Sequence, residues 1–301
     1  MYDLVVIGGG PAGLTAALYA LRADKRVLLL EKKAIGGQVL DAVRIENYPG
    51  FTRVSGKEFA KSLLDQVTRS GADIEFDEAL GIREEADCKV VVTAKGAYET
   101  RTVIIATGGA PRKLGVPGEE ELAGNGISYC AICDGGTYKN KNVAVIGGGN
   151  SAVSEALQLS DRCARVTVVQ DKPFLTAEEK LQKVLFSRPN VKVLCNTVVE
   201  SVERSGAVTV HLIDMKENRP SAIHVECVFV AIGRQPECAA FENAAELDRA
   251  GYIVAGEDCF CRMSGVFVAG DCRTKEVRQM TTAMGDGTAA ALAAVRYLDS
   301  I

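Results

Sequence analysis

Cys130, Cys133 and Asp134 are the residues of this chain best suited, by type and spacing, to do chemistry. They lie in Ser128–Gly136, which reads SYCAICDGG. A C-x-x-C separation lets two sulfurs close a small ring when the first cysteine stands at a helix start. A helix N-terminus also favours the thiolate, the species that performs disulfide exchange. Asp134 follows the second cysteine directly, where a carboxylate can hand a proton to a leaving thiolate. The competing chemistry is half of a structural zinc site, which needs four ligands. No second C-x-x-C exists, and His211 and His224 do not form a closely spaced pair, so no metal is expected. The chain has ten cysteines in all. Cys88, Cys163, Cys195, Cys227 and Cys238 stand singly and read as small buried hydrophobes. Cys259 and Cys261 are two apart, which on a strand puts both side chains on one face. No role is assigned to that pair.

The elements that must position such a redox pair are visible as an internal repeat. Residues 3–18 read DLVVIGGGPAGLTAAL and residues 142–157 read NVAVIGGGNSAVSEAL. Each copy is an apolar β-branched run, a glycine cluster and an Ala/Leu-rich segment with helical spacing. That order predicts strand, tight turn and helix. The first copy supplies Gly8, Gly10, Pro11, Ala12 and Gly13. The second supplies Gly147, Gly149, Asn150, Ser151 and Ala152. The first glycine makes the turn, the second lets backbone approach a pyrophosphate, and the third small residue lets helix pack on strand. The helix N-terminus then offers free N–H groups to phosphate. A second strand follows in each copy, Arg26–Leu30 ending at Glu31 and Arg165–Val169 ending at Gln170, with the same interval from the first glycine. Glu31 thus stands where an acid holds a ribose hydroxyl pair. Two such units imply two dinucleotides, a tightly held FAD and a mobile nicotinamide. Val103–Gly108, containing Ala106, Thr107 and Gly108, and Cys227–Gly233 read as the strands that close each unit. Gly265–Asp271 is an apolar strand ending in Gly270 and Asp271, suited to a flavin ribityl or phosphate contact. A loop with Arg278, Gln279 and Met280 then leads into a buried Gly/Ala-rich helix from about Thr282 to Leu298.

The chain has 301 residues, 47% apolar and 25% charged, with net charge −4. That balance is globular and lacks the basic stripe of a nucleic-acid binder. No apolar run is long enough to span a membrane. The chain enters a strand at once without a charged leader, so a cytoplasmic location is expected.

CAICDG between the two units, IGGGPAGLTAAL, ENYPGF at Glu46–Phe51 and the GDCR…RQ…GDG tail together resemble the low-molecular-weight bacterial thioredoxin reductase family. The resemblance runs end to end. It implies an α/β fold of two Rossmann-like FAD/NAD(P)-binding domains, the second inserted into the first. The FAD domain would comprise 1–112 and 238–301, and the NAD(P)-type domain with the redox disulfide 113–237. It implies flavin contacts from the first glycine loop, Gly37–Gln38, Asn47 and the segment around Asp271, Arg278 and Gln279. It further implies a homodimer, thioredoxin as partner, and domains that rotate about hinges near Arg112–Val116 and Gln235–Cys238.

One stretch departs from that family. NADPH-using members carry a basic motif after the second dinucleotide strand, which grips the 2′-phosphate. Here the stretch is Gln170, Asp171, Lys172, Pro173, Phe174, Leu175 and Thr176. Lys172 is a poor substitute for a planar arginine fork, and a like charge from Asp171 beside the phosphate costs on the order of 1 kcal/mol or more. Weak NADPH binding is therefore expected. Either Asp171 accepts the ribose hydroxyls of NADH, or electrons arrive from ferredoxin, as in the pyridine-nucleotide-independent branch of the family. Two other functions stay open at this point: a flavin-dependent dithiol oxidase of a small molecule, and a redox-inactive flavin-binding module.

Overall fold

A computed structural model describes residues 1–301 except Val43 and Arg44, and except the side chains of Ile132 and Cys133. The chain divides into two compact units, Met1–Ala110 with Gln235–Ile301, and Pro111–Arg234.

In the first unit, strands Asp73–Phe76, Val27–Glu31, Tyr2–Ile7 and Ala97–Ile105 lie side by side and parallel, and Val266–Val268 joins Ala97–Ile105 in parallel. Lys89–Thr93 and Ala79–Glu84 extend the sheet as antiparallel strands. Leu4–Val6, Leu28–Leu30 and Val103–Ile105 are essentially inaccessible. Such runs do not alternate, because a parallel sheet is covered on both faces. One face is covered by helices Pro11–Arg22 and Met280–Leu298, whose alanines make a close seam. Gly287 is required there, since a Cβ would lie 2.3 Å from the Ala12 carbonyl oxygen. The other face packs against Cys238, Phe241, Ile253 and Cys272. Helix Gly56–Arg69 opens on a capping box in which the Ser55 hydroxyl accepts from Glu58 N–H and the Glu58 carboxylate accepts from Ser55 N–H.

The second unit repeats the plan. Its parallel sheet runs Val191–Leu194, Arg165–Val169, Asn142–Ile146, Cys227–Val230 and Ile127–Ser128. A three-stranded antiparallel sheet, Thr197–Ser205, Ala207–Asp214 and Arg219–Val225, covers it through Val202, Val208, Val210 and Leu212.

Three local expectations shift. The strand expected from Arg26 begins at Val27. The last helix begins at Met280 rather than Thr282, because Thr282 turns back to accept the Gln279 N–H and caps the first turn. Cys259 and Cys261 do not share a face. Cys259 has φ of +63°, which ends any strand there. Its side chain joins the helix-side core while Cys261 packs against the opposite one. Among the described residues no helix is long and apolar enough to cross a membrane.

Candidate active site

The first glycine loop is built to leave room beside its backbone. Gly8 sits at φ +111°, and a Cβ would lie 2.3 Å from the Ala106 carbonyl oxygen. A Cβ on Gly13 would lie 1.9 Å from the Gly8 carbonyl oxygen. At Gly10, by contrast, a Cβ would meet nothing within 4 Å, so this side of the loop is open. Gly10 is extended (φ −79°, ψ −178°) and leads into the helix at Pro11, which gives up an N–H that would be unpaired anyway. Glu31 ends the next strand and ties the loop down. One carboxylate oxygen accepts from Gly9 N–H at 2.8 Å, and the other accepts from Lys33 N–H at 2.8 Å. A cleft of about 390 Å³ opens beside Gly8 and Glu31, lined also by Lys32, Asp77, Thr107 and Cys238.

Of the other expected contact residues, Gly37 and Gly270 approach the same loop, and the rest pair elsewhere in this unit. Gly37 has φ +54°, and a Cβ there would lie 3.2 Å from Gly10 Cα. Gln38 donates its amide to the Gly109 carbonyl at 3.3 Å, next to Gly108. Gly270, at φ +85°, approaches Ala12 so closely that a Cβ would be 2.8 Å from the Ala12 Cβ. Asn47 and Gln279 are joined by a side-chain hydrogen bond of 3.3 Å. The Arg278 guanidinium lies 4.0 Å over the Tyr252 ring, and its Nε reaches the Asp271 carbonyl at 3.5 Å. Met280 begins the following helix.

Asp286, inside that helix, fixes the loop that carries Gly270 and Asp271. Its carboxylate accepts from Gly270 N–H (3.1 Å), Arg273 (2.8 and 3.0 Å) and Lys275 (2.8 Å). Burial alone would raise its pKa. The hydrogen bonds from Arg273 and Lys275 outweigh burial and hold the carboxyl below the usual range.

The second glycine loop reproduces the first in backbone but not in side chains. Gly147 has φ +127° with the Ala231 carbonyl oxygen 2.4 Å from a hypothetical Cβ, Gly149 is extended (φ −83°, ψ −178°), and Ala152 is fully buried. Asn150 pairs with Glu178, donating to its carboxylate at 3.1 Å and accepting its N–H at 2.7 Å. Ser151 is exposed. Gln170 is buried against Gly148 and donates to the Phe174 carbonyl at 3.3 Å. Asp171 and Lys172 are exposed on the turn that follows.

In the redox segment, Cys130 is half-buried and held in a disulfide. The side chain of Cys133 lies outside the described residues. The backbone forms a single helical turn, Ala131–Asp134, with Asp134 N–H donating to the Cys130 carbonyl at 3.1 Å. Asp134 is exposed and accepts from the Ser128 hydroxyl at 2.6 Å. Three of the free thiols elsewhere are of another kind: burial pushes Cys227 and Cys259 up to about 11 and Cys261 up to about 12. They stay protonated and inert near neutral pH.

A two-unit nucleotide scaffold with a disulfide in its second unit can be compared with known proteins. The family model described as pyridine nucleotide-disulphide oxidoreductase matches residues 2–287. The thioredoxin reductase of Treponema pallidum is 41% identical over 302 residues, covering 100% of this chain and 98% of its own. That of Listeria innocua is 38% identical over 303 residues, covering 100% and 95%. The crystal structure of Lactococcus lactis thioredoxin reductase matches with TM-score 0.96 at 34% identity, covering 100% of both chains. The chain belongs to the low-molecular-weight thioredoxin reductase family. It is therefore an FAD-dependent disulfide oxidoreductase with the α/β fold of two Rossmann-like domains, and the reading of a redox-inactive module falls.

For a thioredoxin reductase of this family the first unit fits FAD. The open backbone at Gly10 and the helix that begins at Pro11 suit a pyrophosphate, and the Gly37 and Gly270 approaches crowd the same loop. Sequence reasoning missed Ser128 and Asp286. Both stand inside quoted motifs, SYCAICDGG and GDG, but nothing in their spacing names the partners that the fold gives them.

Proposed function

We propose that this chain reduces the disulfide of thioredoxin, drawing electrons through FAD to the pair Cys130 and Cys133. The observation that carries this reading is the Cys130 disulfide on a helical turn with a hydrogen-bonded carboxylate, Asp134, at its end. Gly8, Gly10, Gly13, Glu31, Gly37, Gln38, Asn47, Asp271, Arg278 and Gln279 would hold the cofactor. When bound, FAD supplies the two-electron chemistry that opens the disulfide. The rest falls to the chain's own groups. One thiolate of the reduced pair attacks the thioredoxin disulfide and makes a mixed disulfide. The second thiolate resolves it, restoring the Cys130 disulfide and releasing thioredoxin as a dithiol. Asp134 gives a proton to the leaving sulfur and regains one from solvent. Asp134 directly after the pair, where it can protonate a leaving thiolate, favours this reading over oxidation of a small dithiol. The family resemblance adds a homodimer, which sedimentation at micromolar concentration tests.

The electron donor in this proposal is not NADPH. Exposed Asp171, and Thr176 in place of a basic residue, support that reading, because a 2′-phosphate needs charge-assisted donors. The intact backbone of Gly147 and Gly149 favours NADH. One observation favours ferredoxin instead: the Glu178 carboxylate is tied to Asn150 at the helix start, where a pyrophosphate would sit. Anaerobic mixing with NADH, NADPH or reduced ferredoxin, followed by flavin absorbance, separates them. Fast bleaching by micromolar NADPH contradicts the proposal.

A further inference from the structure

We propose that Ser128 is a positioning residue for proton transfer at the Cys130 disulfide, an inference that rests on the thioredoxin-reducing role of that disulfide and on Asp134 as its proton donor. The Ser128 side chain is buried at 5% exposure at the end of strand Ile127–Ser128, whose partner Phe229 is fully buried. Its hydroxyl has three neighbours: the Asp134 carboxylate at 2.6 Å, the Cys130 N–H at 3.1 Å and the Cys130 carbonyl at 3.3 Å. A hydroxyl has one hydrogen to give. The shortest contact and the charged acceptor take it, so Ser128 donates to Asp134 Oδ2 and accepts from Cys130 N–H. The result is a fixed chain from the backbone of the sulfur-bearing residue, through a hydroxyl anchored in the sheet, to the carboxylate.

This chain does two things. It holds an otherwise exposed carboxylate, on a turn of only four residues, at a set place relative to Cys130. It also makes the two carboxylate oxygens unequal. Oδ2 is committed as an acceptor from Ser128, so the proton that moves to the leaving thioredoxin sulfur is carried on Oδ1. The serine ends the cycle with the hydrogen it began with. The transferred proton leaves Asp134, completes the thiol and is replaced from solvent.

The test isolates disulfide exchange from the donor. The FAD-loaded enzyme is reduced anaerobically with dithionite and mixed with oxidised thioredoxin, and return of flavin absorbance is followed at saturating thioredoxin. Asp134→Asn is expected to slow the maximal rate on the order of a hundredfold. Ser128→Ala is expected to slow it about tenfold, through lost alignment rather than lost chemistry. Ser128→Thr keeps the hydroxyl and should recover most of the rate. Ser128→Val has the same shape without the hydroxyl and should not, which separates the hydrogen bond from packing and from misfolding. In the Asp134→Asn background, Ser128→Ala should add nothing, the non-additivity expected of groups that act as a unit. Equal rates for Ser128→Thr and Ser128→Val, or a Ser128→Ala effect that persists in the Asp134→Asn background, would overturn the proposal. A wild type that leaves thioredoxin oxidised overturns the functional reading itself.

Discussion

At Asp286, burial and hydrogen bonding pull in opposite directions, and the hydrogen bonds from Arg273 and Lys275 win. A carboxyl held below its unfolded value contributes stability above that value, near 3.9, and loses it as pH falls through the folded value. The wild type should therefore lose thermal stability as pH falls below about 4. Asp286→Asn should start less stable and show a flatter pH dependence, read from melting curves across that range. Asp286→Ala should cost about 3 kcal/mol, because Arg273 then keeps only carbonyl acceptors and Lys275 only the longer pairing with Asp271 at 4.0 Å. At this scale the sequence was legible only where a residue type is diagnostic by itself. Gly8, Gly10 and Gly147 are glycines because of positive φ or open approach, and type alone reveals that. Ser128 and Asp286 owe their importance to partners that tertiary folding supplies, and serine or aspartate at those positions carries no such mark.

Among elements, the seam between Pro11–Arg22 and Met280–Leu298 joins the glycine loop to the chain's last helix. A Gly287→Val side chain would begin 2.3 Å from the Ala12 carbonyl oxygen and push the helices apart. Destabilisation of about 1–3 kcal/mol with reduced FAD content is the expected outcome, read by urea titration and by the flavin absorbance of purified protein. An unchanged FAD content would show that the seam does not shape the loop. The repeated strand–glycine–helix plan was legible in the sequence because hydrophobic runs and helical spacing are local. Cys259 and Cys261 would share a face only on a strand, and the left-handed Cys259 rules a strand out there, which spacing alone does not reveal.

Across the whole molecule, two copies of one unit have diverged at the end of their second strand. Glu31 accepts the Gly9 N–H in the first, whereas Gln170 lies against Gly148 and turns its amide to Phe174 in the second. Under the donor reading proposed above, basic residues introduced at that turn should shift the preference toward NADPH. Asp171→Arg with Thr176→Arg is expected to lower the KM for NADPH about tenfold, the equivalent of one charge-assisted hydrogen bond at about 1.5 kcal/mol. An unchanged KM in steady-state assays would place the barrier elsewhere in the second glycine loop.

The central claim is that electrons leave this protein through the Cys130 disulfide. Its most direct test is stoichiometric: the dithionite-reduced, FAD-loaded protein is mixed anaerobically with excess oxidised thioredoxin, and new thioredoxin thiols are counted alongside flavin absorbance. Wild type should return to the oxidised spectrum while releasing a matching quantity of thioredoxin dithiol, and Cys130→Ser should stay bleached. Full flavin reoxidation by thioredoxin in Cys130→Ser, or none in the wild type, would contradict the account.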